Sequence, residues 1–266
     1  MLSMLLKYAL AAMLGILITL YFALKPLPED IDPLKGFNEW EMAAIIGGSF
    51  LFGTLFFIIL NRMKFSFIYG AIDIGASTAG MSITFFPLFS ALGLNYLFSL
   101  FFSGIVASSV SFARDFRLKN ATALLASAGI GALIGSSISY WLAIGLGAAL
   151  IVYDYVAVRK TGHMIELAQT IAKHEMSMMV TSTEKIKGEE STISLGTGDI
   201  ALPTAIACSF LQLSMPHSFI FILGCMSGIV VMFSRIEKGE FAPALPYLLI
   251  PGMAAAMIYQ AILLAI

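Results

Sequence analysis

The chain has 266 residues, of which 59% are hydrophobic and only 12% charged. Soluble domains carry about 25% charged residues, so a water-soluble globular fold is excluded and a polytopic membrane protein is indicated. A net charge of −1 offers no basic face for nucleic acid. Two cysteines in apolar runs and three scattered histidines give neither a disulfide framework nor metal-ligand spacing, so Cys208 and Cys225 read as buried small residues.

A spanning helix needs about 20 apolar residues. The first apolar run, Tyr8 to Leu24, follows Lys7 as in a signal peptide. It outlasts a signal core of about 7–15 residues and no small-x-small site precedes Lys25, so a retained first span is expected. Charges and turn residues then divide the chain into nine expected spans, at 4–24, 42–60, 65–88, 93–113, 121–138, 140–158, 197–215, 218–234 and 243–264. The cuts near Pro87 to Gly93 and near Ser139 follow from length alone. Along span five, Ser127, Gly131, Gly135 and Ser139 recur every four residues, a spacing that lets helix backbones approach closely in lipid.

The one sizeable polar segment is 159–195. Its first part, "GHMIELAQTIAKHEM", has apolar residues at 164, 165, 168, 171, 172 and 176. That period fits an amphipathic helix at the membrane surface, a solvated linker being the alternative. The next part, "TSTEKIKGEE", reads as polar and mobile, and "STISL" alternates as a short strand does.

Basic residues mark cytoplasmic loops. With nine spans, Lys7, Arg62, Lys64, Arg114, Arg117, Lys119, Arg159, Lys160, Lys173, Lys185, Lys187, Arg235 and Lys238 fall on one side. Lys25 and Lys35 fall on the other, with Glu29, Asp30, Asp32 and Glu39. The expected fold is therefore all-α with nine transmembrane helices, N-terminus cytoplasmic and C-terminus outside. It divides into a six-helix part (1–158), a cytoplasmic loop (159–195) and a three-helix part (196–266).

Three acids fall within spans: Asp73, Asp154 and Asp199. A carboxylate near the bilayer centre is costly, so such residues face the protein interior or water and are functional candidates. Asp154 lies five residues before Arg159, roughly 7–8 Å into the membrane. Asp199, at the start of span seven, reaches a similar depth. Asp73 lies nine residues past Lys64, roughly 13–14 Å deep and close to the midplane, so it is expected apart from the other two. Two carboxylates at hydrogen-bonding range share one proton. One can activate water while the other hydrogen-bonds a scissile carbonyl and serves the leaving amine. This chemistry needs no metal or cofactor.

Gly196 and Gly198 flank Thr197 and leave room for a close backbone approach, and Pro203 weakens the early helix. At the same level "FAPALPYLL" opens span nine with Pro243, Ala244 and Leu245. Pro243 and Pro246 withhold two donors, which suggests an irregular, narrow wall.

Tyr153-Asp154, Gly196-Thr197-Gly198-Asp199 and Pro243-Ala244-Leu245, in this order on spans six, seven and nine, resemble the three signature motifs of presenilins and signal peptide peptidases. These are the GxGD intramembrane aspartyl proteases. The expected orientation and the "YDYVAV" context resemble presenilin more closely. The resemblance implies that Asp154 and Asp199 are the catalytic pair. It also implies that Tyr153, Gly196, Thr197, Gly198, Pro243, Ala244 and Leu245 line the site and position substrate. Thr192, Ile193, Ser194 and Leu195 would then pair with an unwound substrate as an added strand. Thr197 departs from the leucine or isoleucine commoner in the family, and the short loop at 159–195 makes self-cleavage unexpected. A compact chain of this kind resembles the archaeal homologues, expected to need no partner subunit, though a homo-oligomer stays open. A prepilin or preflagellin GxGD peptidase and an ion-coupled transporter or channel are the alternatives.

Overall fold

The computed structural model describes residues 2–25, 36–63, 66–113, 115–160, 162–174, 176–186, 189–235 and 241–265. Of the charges counted above, Glu29, Asp30, Asp32, Lys35, Lys64, Arg114, Lys187 and Lys238 lie outside the described residues.

The chain runs through α1 (Leu2–Leu24), α2 (Glu39–Met63), α3 (Ser66–Ala91), α4 (Tyr96–Ser111), α5 (Phe116–Ser137) and α6 (Tyr140–Arg159). A shorter helix α7 (His163–Lys173) and a hairpin of β1 (Met179–Ile186) and β2 (Glu189–Gly196) follow. The chain ends with α8 (Thr197–Ser209), a 3₁₀ turn (Phe210–Gln212), α9 (Met215–Arg235) and α10 (Ala244–Ala265). Each expected span falls on a helix. Among the described residues, six helices are long and apolar enough to cross a membrane by themselves: α1, α3, α5, α6, α9 and α10. The 16 residues of α4 and the 13 of α8 cover only about 24 and 20 Å of a hydrocarbon core about 30 Å thick.

Local chemistry sets the boundaries. Helix α3 continues through Pro87 to Ala91, past the expected end at 88, and turns at Gly93 with φ of 77°. Asn95 caps α4 by accepting the Phe98 N–H, and Ser139 caps α6 by accepting the Leu142 N–H. The amphipathic segment is the helix α7, and the adjoining Met176 packs with Tyr69 at the start of α3.

The stretch expected to be mobile forms most of β1 instead. Its residues pair antiparallel with β2, from Met179 opposite Gly196 to Ile186 opposite Glu189. Polarity masked the strand, but Val180, Thr181, Thr183 and Ile186 are β-branched and suit a pleated surface. Val180 and Leu195, opposite each other, are both buried.

The core is built around α8, every residue of which from Ile200 to Ser209 is buried. The small-residue stripe of α5 makes this possible. A Cβ at Gly131 would meet the Thr204 side chain at 2.8 Å and the Ala201 carbonyl at 2.9 Å, and one at Gly135 would strike the Ala205 carbonyl. Gly15 of α1 sits as closely against Thr204. On the other flank, Gly224 and Gly228 of α9 meet the α10 backbone. Helix α6 lies outside this core against α8 and α10, with Ala143, Gly147, Asp154 and Ala157 buried.

Candidate active site

Asp199 stands in the first turn of its own helix, and Asp154 faces the first turn of another. The first four N–H groups of a helix lack intrahelical partners and carry its positive dipole end. Asp199 is the third residue of α8, and its Oδ2 accepts the N–H of Gly196, the residue just before the helix, at 3.3 Å. Asp154, near the end of α6, is only 5% exposed. Its Oδ2 accepts the N–H of Leu245, the second residue of α10, at 3.0 Å. The two carboxylates are close enough to act on each other electrostatically.

The prolines read in the sequence as an irregular wall have an orderly role here. Pro243 directly precedes α10 and Pro246 is its third residue, where a missing N–H removes no helical bond. The wall is the regular start of a helix, and Pro243, Ala244 and Leu245 are all buried. Pro203 leaves α8 continuous while removing the donor that would serve the Asp199 carbonyl.

The entry into α8 is tied down on two sides. The Ser127 hydroxyl of α5 donates to the Thr197 carbonyl at 3.1 Å, and the Thr197 N–H donates to the Met178 carbonyl at 3.0 Å. The two glycines differ. A Cβ at Gly196 would press on the Asp199 Oδ2 at 3.1 Å, whereas nothing lies within 4 Å of one at Gly198. Gly198 is exposed, so open space adjoins one acid. Tyr153 is half-buried beside Asp154, Ile193 and Leu195 of β2 face inward, and Thr192 and Ser194 are exposed.

The structure therefore brings Asp154, Asp199 and Leu245 together and leads β2 directly into α8. Asp73 takes a different partner, in the loop at 159–195, which depth counting misses. It is 3% exposed, and its Oδ1 accepts the Ser177 N–H at 2.8 Å. The segment before β1 comes in to meet it, which no count along a helix could foresee.

The family model described as signal-peptide peptidase, presenilin aspartyl protease matches residues 7–265. The chain belongs to this family. It is a membrane-embedded aspartic endopeptidase. Two solved structures of a presenilin family intramembrane aspartate protease, in C222 and P2 space groups, share its fold. The identities are 20% and 21%, with a TM-score of 0.70 and 98% coverage of both chains in each case. No curated protein matches the chain significantly by sequence.

The contacts of three residues could not be read from the sequence. The Asn120 side chain makes two hydrogen bonds to the backbone of Thr181, Lys7 makes a third, and Ser127 holds the start of α8. Asn120 follows the run "RLK" at a helix start, where a polar side chain is unremarkable, and only its partner gives it meaning.

Proposed function

We propose that Asp154 and Asp199 are the catalytic pair of this protease and that they share one proton. The observation that carries the reading is the Leu245 N–H on Asp154, which joins the third motif to the first. The ionised carboxylate takes a proton from water as its oxygen attacks the scissile carbonyl carbon. The protonated carboxyl donates to the carbonyl oxygen, giving a neutral tetrahedral diol. Collapse breaks the C–N bond, the leaving nitrogen takes a proton, and the pair returns to its singly protonated state. The open space at Gly198 is where the peptide bond and water fit beside Asp199.

Pro243, Ala244 and Leu245 seat Asp154, while Tyr153, Gly196 and Thr197 line the approach. Thr192 to Leu195 offer an edge on which an unwound substrate adds as a strand, since β2 pairs only with β1 among the described residues. The substrates are transmembrane segments of single-span proteins or signal-peptide remnants. The chain crosses the membrane nine times, N-terminus cytoplasmic and C-terminus outside, with the site toward the cytoplasm. This is supported by the basic residues and by Lys7, Asp73 and Asn120, which join the beginnings of α1, α3 and α5 to the hairpin end. Residues 1–158 serve as scaffold plus Asp154, 159–195 as substrate-engaging loop, and 196–266 as the part carrying the other two motifs. No partner subunit is required.

The test is incubation of the purified protein with a single-span peptide, products being identified by mass spectrometry. Asp154→Ala and Asp199→Ala should each lose at least about 10²–10⁴-fold in rate, the share general acid–base catalysis supplies. Either variant cutting as well as the parent would sink the assignment.

A further inference from the structure

The hairpin has two outer edges, and they are treated differently. On β1, Thr181 directs both backbone groups away from β2. Its N–H donates to Asn120 Oδ1 at 2.7 Å, and its carbonyl accepts from Asn120 Nδ2 at 2.7 Å and from Lys7 Nζ at 2.7 Å. A side-chain amide offering one acceptor and one donor to a single residue imitates the backbone of a neighbouring strand. The outer edge of β1 is thereby blocked at Thr181 by α5 and α1.

This contact also fixes which backbone groups face the opposite edge. In an antiparallel ladder, directly opposed residues alternate between pairs bonded to each other and pairs whose groups point outward. Thr181 points outward and is opposite Ser194, so Ser194 points outward too. Two residues on either side, Thr192 and Gly196 follow the same parity. The Gly196 N–H confirms the phase, because it leaves the hairpin to reach Asp199. The outward groups of β2 therefore run Thr192, Ser194, Gly196, ending on an acid of the pair.

We propose that Asn120 is a positioning residue for proteolysis, holding the hairpin through Thr181 so that the open edge of β2 keeps one register toward Asp199. The proposal rests on the reading of β2 as the substrate edge. Lys7 reinforces the same carbonyl, and Asp73, through Ser177, ties down the segment four residues earlier. A slip of the anchored strand shifts any added strand by two residues, the side-chain period of a strand.

The test uses the full chain, a single-span peptide, and the variants Asn120→Ala and Thr181→Pro. At Thr181 proline removes the N–H that Asn120 accepts, but no ladder bond, because that group faces outward. Loss of two hydrogen bonds should raise KM about tenfold, with a smaller change in kcat. Cuts should spread to positions two residues from the parent's main site, and the double variant should be no worse than Asn120→Ala. Asn120→Asp, which keeps the acceptor, should restore part of the single cut position. Hydrogen exchange of the β1 and β2 amides should speed up in Asn120→Ala whether or not peptide is cut. Unchanged exchange, or unchanged cut positions and KM in folded Asn120→Ala and Thr181→Pro, overturns the proposal. A parent that cuts by way of Asp154 and Asp199 while these variants match it leaves the catalytic pair standing and removes only the anchor.

Discussion

Helices α8 and α6 each carry one acid of the proposed pair, yet they are embedded in opposite ways. Helix α8 is buried from Ile200 to Ser209, gripped by glycines of α5 and α1. Helix α6 buries only four of its 20 residues, Ala143, Gly147, Asp154 and Ala157, and turns Trp141, Val152 and Tyr155 outward. Moving Asp199 requires repacking the centre of the protein. Moving Asp154 requires only a small adjustment against Gly147 and the start of α10. Asp199 is the fixed reference of the site, and the seat of α6 decides how well the two acids meet.

The contrast can be broken most forcefully at the α5–α8 seam. Gly131→Val drives carbon into the Thr204 side chain and the Ala201 carbonyl, and overpacking of this kind costs about 1–3 kcal/mol or more. Thermal unfolding in detergent should fall clearly and activity with it. Gly145→Ala on α6, where nothing lies within 4 Å, should leave both unchanged, and a matching loss there would end the distinction.

Gly147→Val tests the seat of α6. Its new carbon meets the flexible ends of Met253 and Ile206, so the fold should survive while α6 shifts. A displacement of about 1 Å at a reacting group can cost about 10²-fold in rate. Parent-like turnover would show that α6 is held more firmly than its burial suggests. Leu245→Pro removes the N–H that Asp154 accepts together with a buried leucine side chain, at a position in the first turn of α10 that tolerates proline, so thermal unfolding is followed beside activity. Loss of a hydrogen bond to a charged group costs about 1.5–3 kcal/mol, so kcat should drop at least about tenfold; no drop would detach the third motif from Asp154. The smallest effect belongs to Asp73→Asn. Asparagine keeps an oxygen for the Ser177 N–H, so cleavage should stay within about threefold, an effect below 1 kcal/mol, and complete loss in a folded protein would give Asp73 a chemical role.

Much of this was legible because lipid imposes simple rules on a chain. Apolar length located the helices, and the Gly131 and Gly135 spacing announced a close seam, which proved to be the one against α8. The three motifs were visible as residue types. What stayed hidden depends on partners distant in sequence. Nothing in "TSTEKI" shows that Val180 will be buried opposite Leu195, so polarity was read as looseness. Asn120 and Asp73 look like a helix-start polar residue and a stray acid until Thr181 and Ser177 arrive to use them. The difference between α6 and α8 was equally invisible, since both are apolar and only packing tells which one lipid surrounds.

The amide of Asn120 has a consequence for stoichiometry. Open strand edges invite further pairing, and a two-stranded ribbon ordinarily has two of them. With β1 blocked at Thr181, no strand can run the length of that edge, and the ribbon keeps one edge open over its whole length. On the reading proposed for β2, one extended peptide saturates a chain. Two substrates must then compete, and the hairpin cannot seed a growing sheet between neighbouring molecules.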